Sequence, residues 1–393
     1  MSLTRRRLFQ RLSTPDSSAQ SEWISARGRE AGMMEYGEQG MAAGARPIRI
    51  ASNENPLGPG QHVLDAIVGK FPEAHRYPFN AVQNEGALIR ALAGTFQAKN
   101  ENVLLGPGSG EILTHAVRAF TSASRPLVTA WPSFENPRDT AKKIGTPVRE
   151  VALDSKLRID VAKMVEASKG AGLVFFCNPN NPTATVHGRT TVADMIKAIR
   201  AASPETMILV DEAYHDYVTD PSYQSVIDLA LATPNVFVTR TFSKAYGMAG
   251  LRAGYAIGHA PTIKAIQAYK MPYGLGTLTL GAAVVGLGNQ AHIDSERKRN
   301  TEVKAFTVKA FADMGITGTD SQTNFVFMDI KRPAAGFRDA CRAQGVLVGR
   351  DFPPYEKTHC RISIGTMAEM QKAVDVFKKV LGTTTTTSSK ERR

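Results

Sequence analysis

The chain has 393 residues, of which 42% are hydrophobic and 21% are charged, a composition typical of a soluble globular protein large enough for two domains. No stretch approaches the roughly 18 consecutive apolar residues that a membrane-spanning helix needs, so we expect no membrane association. The net charge of +12 could indicate a nucleic-acid-binding protein, but the basic residues are partly concentrated in the two terminal segments. No predicted helix carries a basic stripe with interleaved aromatic residues, and we therefore expect no nucleic-acid partner.

The two ends of the chain are predicted to be tails. Residues 1–45 are polar, and we expect them to be partly disordered. Their Arg5-Arg6-Arg7 run resembles a twin-arginine export signal, but the apolar stretch of about 7–15 residues that should follow is missing before Arg46. We favour a cytoplasmic protein, with a degenerate or vestigial export signal as the alternative. Residues 382–393, which include five consecutive threonines at 383–387, read as a low-complexity C-terminal tail.

The cysteines and histidines do not indicate a metal site. Cys177, Cys341 and Cys360 have neither the spacing of metal ligands nor the even number of a disulfide framework. The eight histidines form no pair at helical spacing. We expect buried free thiols and no bound metal.

Strand, loop and helix patterns alternate from about residue 102 to 260, which predicts an α/β domain whose mainly parallel sheet is covered by helices. We expect this large domain to span residues 81–289. A smaller α+β domain should combine residues 46–80 with residues 290–381. Residues 290–381 show a strand pattern at 324–330. They also show helix patterns at 294–314, 334–344 and 368–381.

Two early strands are followed by groups suited to a phosphorylated, planar ligand. The glycine-rich loop at 106–111 follows a strand and opens a helix, where backbone amides can bind an anion. After the next strand, residues 131–134 supply aromatic side chains that could lie on a flat ring. Taken singly, the loop is weak evidence and the aromatic residues are more often part of a core.

Two further strands end in polar residues. The strand at 173–177 leads into an Asn-Pro-Asn-Asn-Pro-Thr turn at 178–183, which could be only a turn. The strand at 207–210 ends at Asp211, which could cap the next helix or hold a protonated pyridine nitrogen. Tyr214 lies three residues further on, within reach of a ring oxygen.

A fifth strand, at 236–239, is followed by Lys244 in a turn that also contains Thr241, Ser243 and, eight residues on, Arg252. An isolated lysine in a loop is usually a surface residue. Here, however, the carboxyl ends of parallel strands meet at one edge of the sheet, where open α/β sheets bind ligands. The five strand ends together predict a site for one flat, phosphorylated, pyridine-like ligand that forms a Schiff base with Lys244.

In these motifs the chain resembles the fold type I aminotransferases that depend on pyridoxal phosphate, and within them the histidinol-phosphate aminotransferase branch. The resemblance runs from about residue 48 to 381. It rests on six segments, at 52–59 (Ser-Asn-Glu-Asn-Pro-Leu-Gly-Pro), 76–78, 180–183, 211–214, 243–252 and 361–365 (Arg-Ile-Ser-Ile-Gly).

The resemblance implies a role for each site residue. Lys244 would form the Schiff base and carry the proton, Asp211 would hold the pyridinium, and Tyr214 would hydrogen-bond the ring's phenolic oxygen. Arg361 would bind the substrate's α-carboxylate, and Arg350 a distal anion of the substrate. The remaining cofactor residues would be Asn181 at the phenolic oxygen, Phe134 on the ring, and Ser109, Gly110, Thr241, Ser243, Arg252 and a partner subunit's Tyr77 at the phosphate. Asn53 and Leu57 complete the predicted substrate site.

Four positions depart from the family pattern. Ala184 stands where glycine usually follows the Asn-Pro-Thr turn, so this turn is expected to be altered. Gly110 replaces a commonly acidic residue, but its proposed contact with the phosphate is through its backbone. Leu57 stands where a tyrosine is frequent, and one extra residue precedes Arg350. The last two departures favour an amino acid with an aromatic or apolar side chain over histidinol phosphate.

The sequence therefore predicts a homodimeric aminotransferase that moves an amino group between an amino acid or histidinol phosphate and a 2-oxo acid. Two alternatives stay open. A decarboxylase on the same scaffold differs mainly in which bond at Cα lies perpendicular to the ring. A non-catalytic regulator that binds the cofactor would need a DNA-binding module, and the first 45 residues are too short and polar to provide one.

Overall fold

The computed structural model describes residues 47–78 and 81–382, without the side chains of residues 81–84. Nearly all of both predicted tails therefore lies outside the described residues. The strands are β1 (Ile48–Ile50), β2 (Val103–Gly106), β3 (Leu127–Trp131), β4 (Val148–Ala152), β5 (Leu173–Cys177), β6 (Met207–Asp211), β7 (Val236–Thr241), β8 (Gly254–Gly258), β9 (Phe325–Asp329), β10 (Val346–Val348) and β11 (His359–Ser363).

The α-helices begin with α1 (Gln61–Lys70), α2 (Ala81–Thr95), α3 (Ser109–Phe120), α4 (Asn136–Lys143), α5 (Val161–Ala167), α6 (Arg189–Ala202), α7 (Ile227–Ala232) and α8 (Ala260–Gln267). They continue with α9 (Thr277–Leu287), α10 (Gln290–Asp313), α11 (Ala334–Arg342) and α12 (Met367–Gly382).

The central sheet has seven strands in the order β2-β8-β7-β6-β5-β3-β4. β4, β3, β5, β6 and β7 are mutually parallel, whereas β8 runs antiparallel to both of its neighbours. β2 therefore points the same way as β7, and six carboxyl ends meet at one edge of the sheet. The predicted mainly parallel sheet is confirmed, and the reversed strand β8 is an addition to it.

Helices cover both faces of this sheet, because successive side chains of its strands point to opposite sides. On β5, for example, Phe176 packs into one apolar core and Phe175 into the other. The first core includes side chains of α6 and the second includes side chains of α3. Apolar side chains thus pack on both faces of the sheet.

A separate apolar core joins the carboxyl part of the chain to β1. β1 pairs in parallel with β10, and β9 pairs antiparallel with β11. Phe311, Phe337 and Phe377, from α10, α11 and α12, pack with Ile50 in this core. Val63 of α1 instead packs in the core of the large sheet. The residue limits of the two domains stay a prediction, and this packing favours a boundary between β1 and α1.

Among the described residues, no helix is long and apolar enough to cross a membrane, and no cluster of His, Cys, Asp or Glu could hold a metal ion. The three cysteines are free and buried.

Candidate active site

A cavity of about 500 Å³ opens at the edge of the sheet where the six carboxyl ends meet. Residues from both the large sheet and the smaller core line it. Most of the predicted site residues meet here, namely Asn53, Ser109, Gly110, Phe134, Asn181, Asp211, Tyr214, Thr241, Ser243, Lys244, Arg252, Arg350 and Arg361. Leu57 and Tyr77 do not line it.

Lys244 lies in the turn after β7, with its amine inside the cavity. Nζ is 3.4 Å from the carbonyl oxygen of Ser52 and 5.5 Å from the ring centroid of Tyr214. The pKa of Lys244 is lowered to about 8, first by burial, because the ammonium loses its hydration, and then by the nearby cation of Arg361. The neutral amine that a nucleophile or base requires is therefore far more populated near physiological pH than in an ordinary lysine.

Asp211, the last residue of β6, is only 2% exposed. Its Oδ1 accepts a hydrogen bond of 2.8 Å from the Thr239 hydroxyl, and its Oδ2 lies 4.0 Å from the Cys177 sulfur. Burial raises the pKa of Asp211 to about 7, since a carboxylate is poorly solvated here. A cation or charge-assisted N–H donor placed against this carboxylate would offset the cost of its burial.

Polar groups suited to a phosphate meet at the start of α3. The Thr241 hydroxyl donates to Ser243 Oγ at 2.9 Å, and Arg252 Nη1 donates to the same oxygen at 3.2 Å. Gly108, directly before α3, has a φ of +72°. A Cβ at this glycine would lie 2.3 Å from Arg252 Nη2, so the absence of a side chain is what allows the guanidinium to reach the helix start.

Arg361, on β11, brings a buried cation to the other side of the cavity. Its Nη1 donates to Asn181 Oδ1 at 2.8 Å and its Nη2 to the Ala51 carbonyl at 2.5 Å. Asn53 Nδ2 donates to the Tyr214 hydroxyl oxygen at 3.1 Å. Burial raises the pKa of Tyr214, so this phenol stays protonated. The network fixes the direction of the Arg361 guanidinium before any ligand arrives.

The turn after β5 accommodates its unusual alanine. Ala184 is fully buried and has a φ of +62°, a left-handed conformation that glycine adopts without strain. Its N–H donates to the Asn180 carbonyl at 2.8 Å, which holds the turn. The backbone thus keeps a conformation suited to glycine, at a cost of about 1–3 kcal/mol.

Arg350 follows β10 and pairs with Glu135, the residue just before α4. The Arg350 guanidinium carbon lies 4.3 Å from the Phe352 ring centroid, and that of Arg361 lies 4.7 Å from the same centroid. Phe352 therefore packs against both predicted substrate arginines.

Sequence reasoning missed several residues of the site. Cys177 lines the cavity as the last residue of β5, so the rule that located Asp211 could have found it. Glu54 also lines the cavity and lies within the segment 52–59 that carries the resemblance. Glu135 and Phe352 each contact the predicted Arg350, but no spacing or periodicity in the sequence indicates these contacts.

Leu57 and Tyr77 lie on the protein surface, where they are 62% and 69% exposed. The Tyr77 ring contacts Tyr273, with 5.9 Å between centroids. Their predicted roles in substrate and phosphate binding stay predictions.

The cavity fits pyridoxal phosphate. Asp211 supplies a buried carboxylate for a protonated ring nitrogen, and Lys244 supplies an amine with a lowered pKa for an aldehyde. The start of α3, the two hydroxyls and Arg252 supply donors for a phosphate, in a space kept open by Gly108. The volume is in the usual range for a small-ligand site.

Comparison with known proteins agrees with this chemistry. The family model for aminotransferase class I and II matches residues 45–377. The chain is 32% identical to histidinol-phosphate aminotransferase of Moorella thermoacetica over 85% of each chain. It is also 32% identical to the Bacillus velezensis protein of that name, over 88% of this chain and 94% of the relative.

Among solved structures, the histidinol-phosphate aminotransferase of Sinorhizobium meliloti in complex with pyridoxal-5′-phosphate is similar, with a TM-score of 0.81 and 26% identity. The match covers 94% of this chain and 98% of that one. With the family model covering most of its length, the chain belongs to the aminotransferase class I and II family and is a pyridoxal-phosphate-dependent aminotransferase.

Proposed function

We propose that this enzyme uses Lys244 to transfer an amino group between an α-amino acid or histidinol phosphate and a 2-oxo acid. One observation carries the proposal: the Lys244 amine, with its pKa lowered to about 8, shares a single buried cavity with Asp211 and Arg361. The amine of Lys244 suits the cofactor aldehyde, the carboxylate of Asp211 suits the ring nitrogen, and the cation of Arg361 suits a substrate carboxylate.

Pyridoxal phosphate would be held covalently by Lys244, at its ring nitrogen by Asp211 and at its phenolic oxygen by Asn181 and Tyr214. Phe134 would lie on the ring. The phosphate would contact the backbone of Ser109 and Gly110, the hydroxyls of Thr241 and Ser243, and Arg252. When bound, the cofactor supplies an electron sink that stabilises negative charge at the substrate Cα.

Lys244 would also act as the base. Once the substrate amine has replaced it, its neutral Nζ would take the proton from Cα and later return a proton to the product. The lowered pKa serves this task, because an amine with an unperturbed pKa would be almost fully protonated at neutral pH.

Arg361 would hold the α-carboxylate of an amino acid or a 2-oxo acid through its two terminal nitrogens. Because Asn181 and the Ala51 carbonyl already orient this guanidinium, little rotational freedom would be lost when substrate binds. An amino-acid donor and a 2-oxo-acid acceptor share this carboxylate, so one arginine would serve both half-reactions. Histidinol phosphate has no α-carboxylate and would not make this contact.

We further propose that the enzyme is a homodimer. Several large apolar side chains of the described residues are exposed in the segments around α1 and before α9, and Tyr77 would reach the phosphate of the neighbouring subunit. A second copy that covers this face would also bring Leu57 near a site. The exposed residues are Leu57, Phe71, Tyr77, Tyr269, Met271 and Tyr273.

The assignment is tested by Lys244→Ala, with the exposed Lys197→Ala of α6 as the matched control. We expect Lys244→Ala to lose turnover with every amino donor and to lack the absorption of a lysine-bound cofactor, while it keeps the circular dichroism of the wild type. The donor panel includes aromatic amino acids and histidinol phosphate, with 2-oxoglutarate as acceptor. Normal turnover in Lys244→Ala would refute the assignment, and release of carbon dioxide without a keto acid would favour the decarboxylase alternative.

A further inference from the structure

Arg350, which lines the cavity, forms an ion pair with Glu135. Nη2 of Arg350 contacts Oε1 of Glu135, and Glu135 directly follows Phe134, another residue that lines the cavity. Arg350 also donates from Nη1 to the Asp351 carbonyl at 3.1 Å. The predicted anion-binding arginine is thus already in contact with a carboxylate of its own chain.

We infer that Glu135 is a specificity-determining residue, which neutralises Arg350 and so disfavours substrates whose side chain ends in an anion. This inference rests on the proposed function and narrows its amino donor to one with an uncharged side chain. Glu135 acts in it through competition, because an anionic group that approaches Arg350 must displace the carboxylate already there.

The surroundings of Glu135 make this displacement costly. Its Oε2 is buried and has no hydrogen-bond partner among the described residues, so Arg350 supplies a large part of the stabilisation of this carboxylate. If a substrate anion took Arg350 away, Glu135 would be left as a poorly solvated charge close to a second negative charge.

The other charged groups nearby are engaged elsewhere. Asp351 accepts from Arg338 at 2.6 Å, and Arg138, on α4, donates to Glu150 at 2.6 Å. Neither pair involves the contact between Arg350 and Glu135.

Phe352 packs against both of the arginines that line this part of the cavity. Its ring is 4% exposed and contacts the guanidinium groups of Arg361 and Arg350. A substrate held by Arg361 through its α-carboxylate would have the neutralised pair as its other neighbour. A substrate side chain that ends in a carboxylate or phosphate would lose hydration there without gaining an uncommitted cation.

Equilibrium binding tests the inference separately from turnover. Holoenzyme is titrated calorimetrically with 3-phenylpropionate and with glutarate, unreactive acids that share one carboxylate and differ in the group at the far end. The variants are Glu135→Gln, the double variant Glu135→Gln with Arg350→Ala, and Asp139→Asn. Asp139 is a matched control, because it lies in α4 and pairs with Arg138 instead of Arg350.

We expect Glu135→Gln to raise the preference for glutarate over 3-phenylpropionate about tenfold, since it removes the competing anion and keeps the side-chain shape. The added Arg350→Ala change should cancel that gain, and Asp139→Asn should keep the wild-type ratio. Thermal unfolding of each variant checks that the fold is retained. A ratio that Glu135→Gln leaves within twofold of the wild type would overturn the inference, as would a fall in glutarate affinity.

Single-turnover reactions with phenylalanine and aspartate extend the test to substrates. Glu135→Gln should accelerate the reaction of aspartate relative to that of phenylalanine, because only aspartate carries an anion at the end of its side chain. If the wild type converted none of the donors while the binding ratio still shifted, the proposed transamination would fail and the anion discrimination by Glu135 would stand. The two failures are therefore distinguishable.

Discussion

Asp211 places a carboxylate where the protein alone solvates it poorly. A single hydroxyl, that of Thr239, donates to it at 2.8 Å, and burial raises its pKa to about 7. Without a cationic partner the folded chain therefore prefers the protonated acid. A residue that weakens the cofactor-free fold in this way is typical of a site built for a ligand.

The cofactor-free protein should gain stability when Asp211 is replaced by asparagine. In the unfolded chain the pKa of this acid returns to about 3.8. Between pH 5 and pH 7 the unfolded state has therefore already lost the proton that the folded state still keeps. Stability from this group thus falls as the pH rises through that window and levels off above about 7. Asp211→Asn should remove this pH dependence. The difference in the free energy of unfolding between the variant and the wild type should therefore shift in favour of the variant by about 2–3 kcal/mol between pH 5 and pH 8.

Urea unfolding of the two cofactor-free proteins at both pH values measures the effect. With pyridoxal phosphate bound, the wild type should be the more stable of the two proteins, because the protonated ring nitrogen would then pair with its carboxylate. Equal pH profiles for the two cofactor-free proteins would show that Asp211 is solvated in another way.

The access of Arg252 to the start of α3 depends on Gly108, the residue directly before this helix. Gly108 has a positive φ and leaves the space that the Arg252 guanidinium occupies. Ser109 then begins the helix, and its first N–H groups lie at the cavity edge. The predicted phosphate site is therefore formed together by the turn at Gly108, the start of α3 and the Arg252 guanidinium.

Gly108→Ala should weaken the binding of pyridoxal phosphate about tenfold or more, because the new methyl group collides with Arg252 and strains the backbone. Gly110→Ala is the matched control, since a Cβ there meets no atom within 4 Å and the backbone conformation is ordinary. Absorbance titration of the cofactor-free proteins gives both dissociation constants. Equal weakening by the two substitutions would place the phosphate elsewhere.

For the molecule as a whole, the dimer proposal predicts complementation. Lys244→Ala removes one site's amine, and Tyr77→Phe removes a hydroxyl that we expect to serve the neighbouring site. Hybrid dimers made from the two variants should contain one site that is intact at both positions, so hybrids separated from the two parent homodimers should approach half of the wild-type activity. A fully active monomer in analytical ultracentrifugation would contradict the proposal.

The ends of β5 and β6 were predictable from sequence because each strand is an unbroken apolar run at whose end a polar residue stands, Asn178 after β5 and Asp211 at the end of β6. The reversal of β8 was not, since its five residues, Gly-Tyr-Ala-Ile-Gly, carry no mark of the direction in which the strand runs. The contact between Glu135 and Arg350 was also beyond sequence patterns. It joins the loop before α4 to the loop after β10, and its existence depends on how these distant segments pack.

The reversal of β8 has a consequence for how this protein can diverge. β7 ends and β8 begins at the same edge, and a hydrogen bond of 3.0 Å from the Phe242 N–H to the Ala253 carbonyl closes the segment between them. Lys244 and Arg252, which we propose hold the aldehyde and the phosphate of the cofactor, thus lie in one short segment closed by a backbone hydrogen bond. Arg350 and Arg361, the proposed substrate contacts, lie far along the chain, after β10 and on β11. Substitutions at these two arginines can therefore change the substrate contacts while the segment that would hold the cofactor stays as it is.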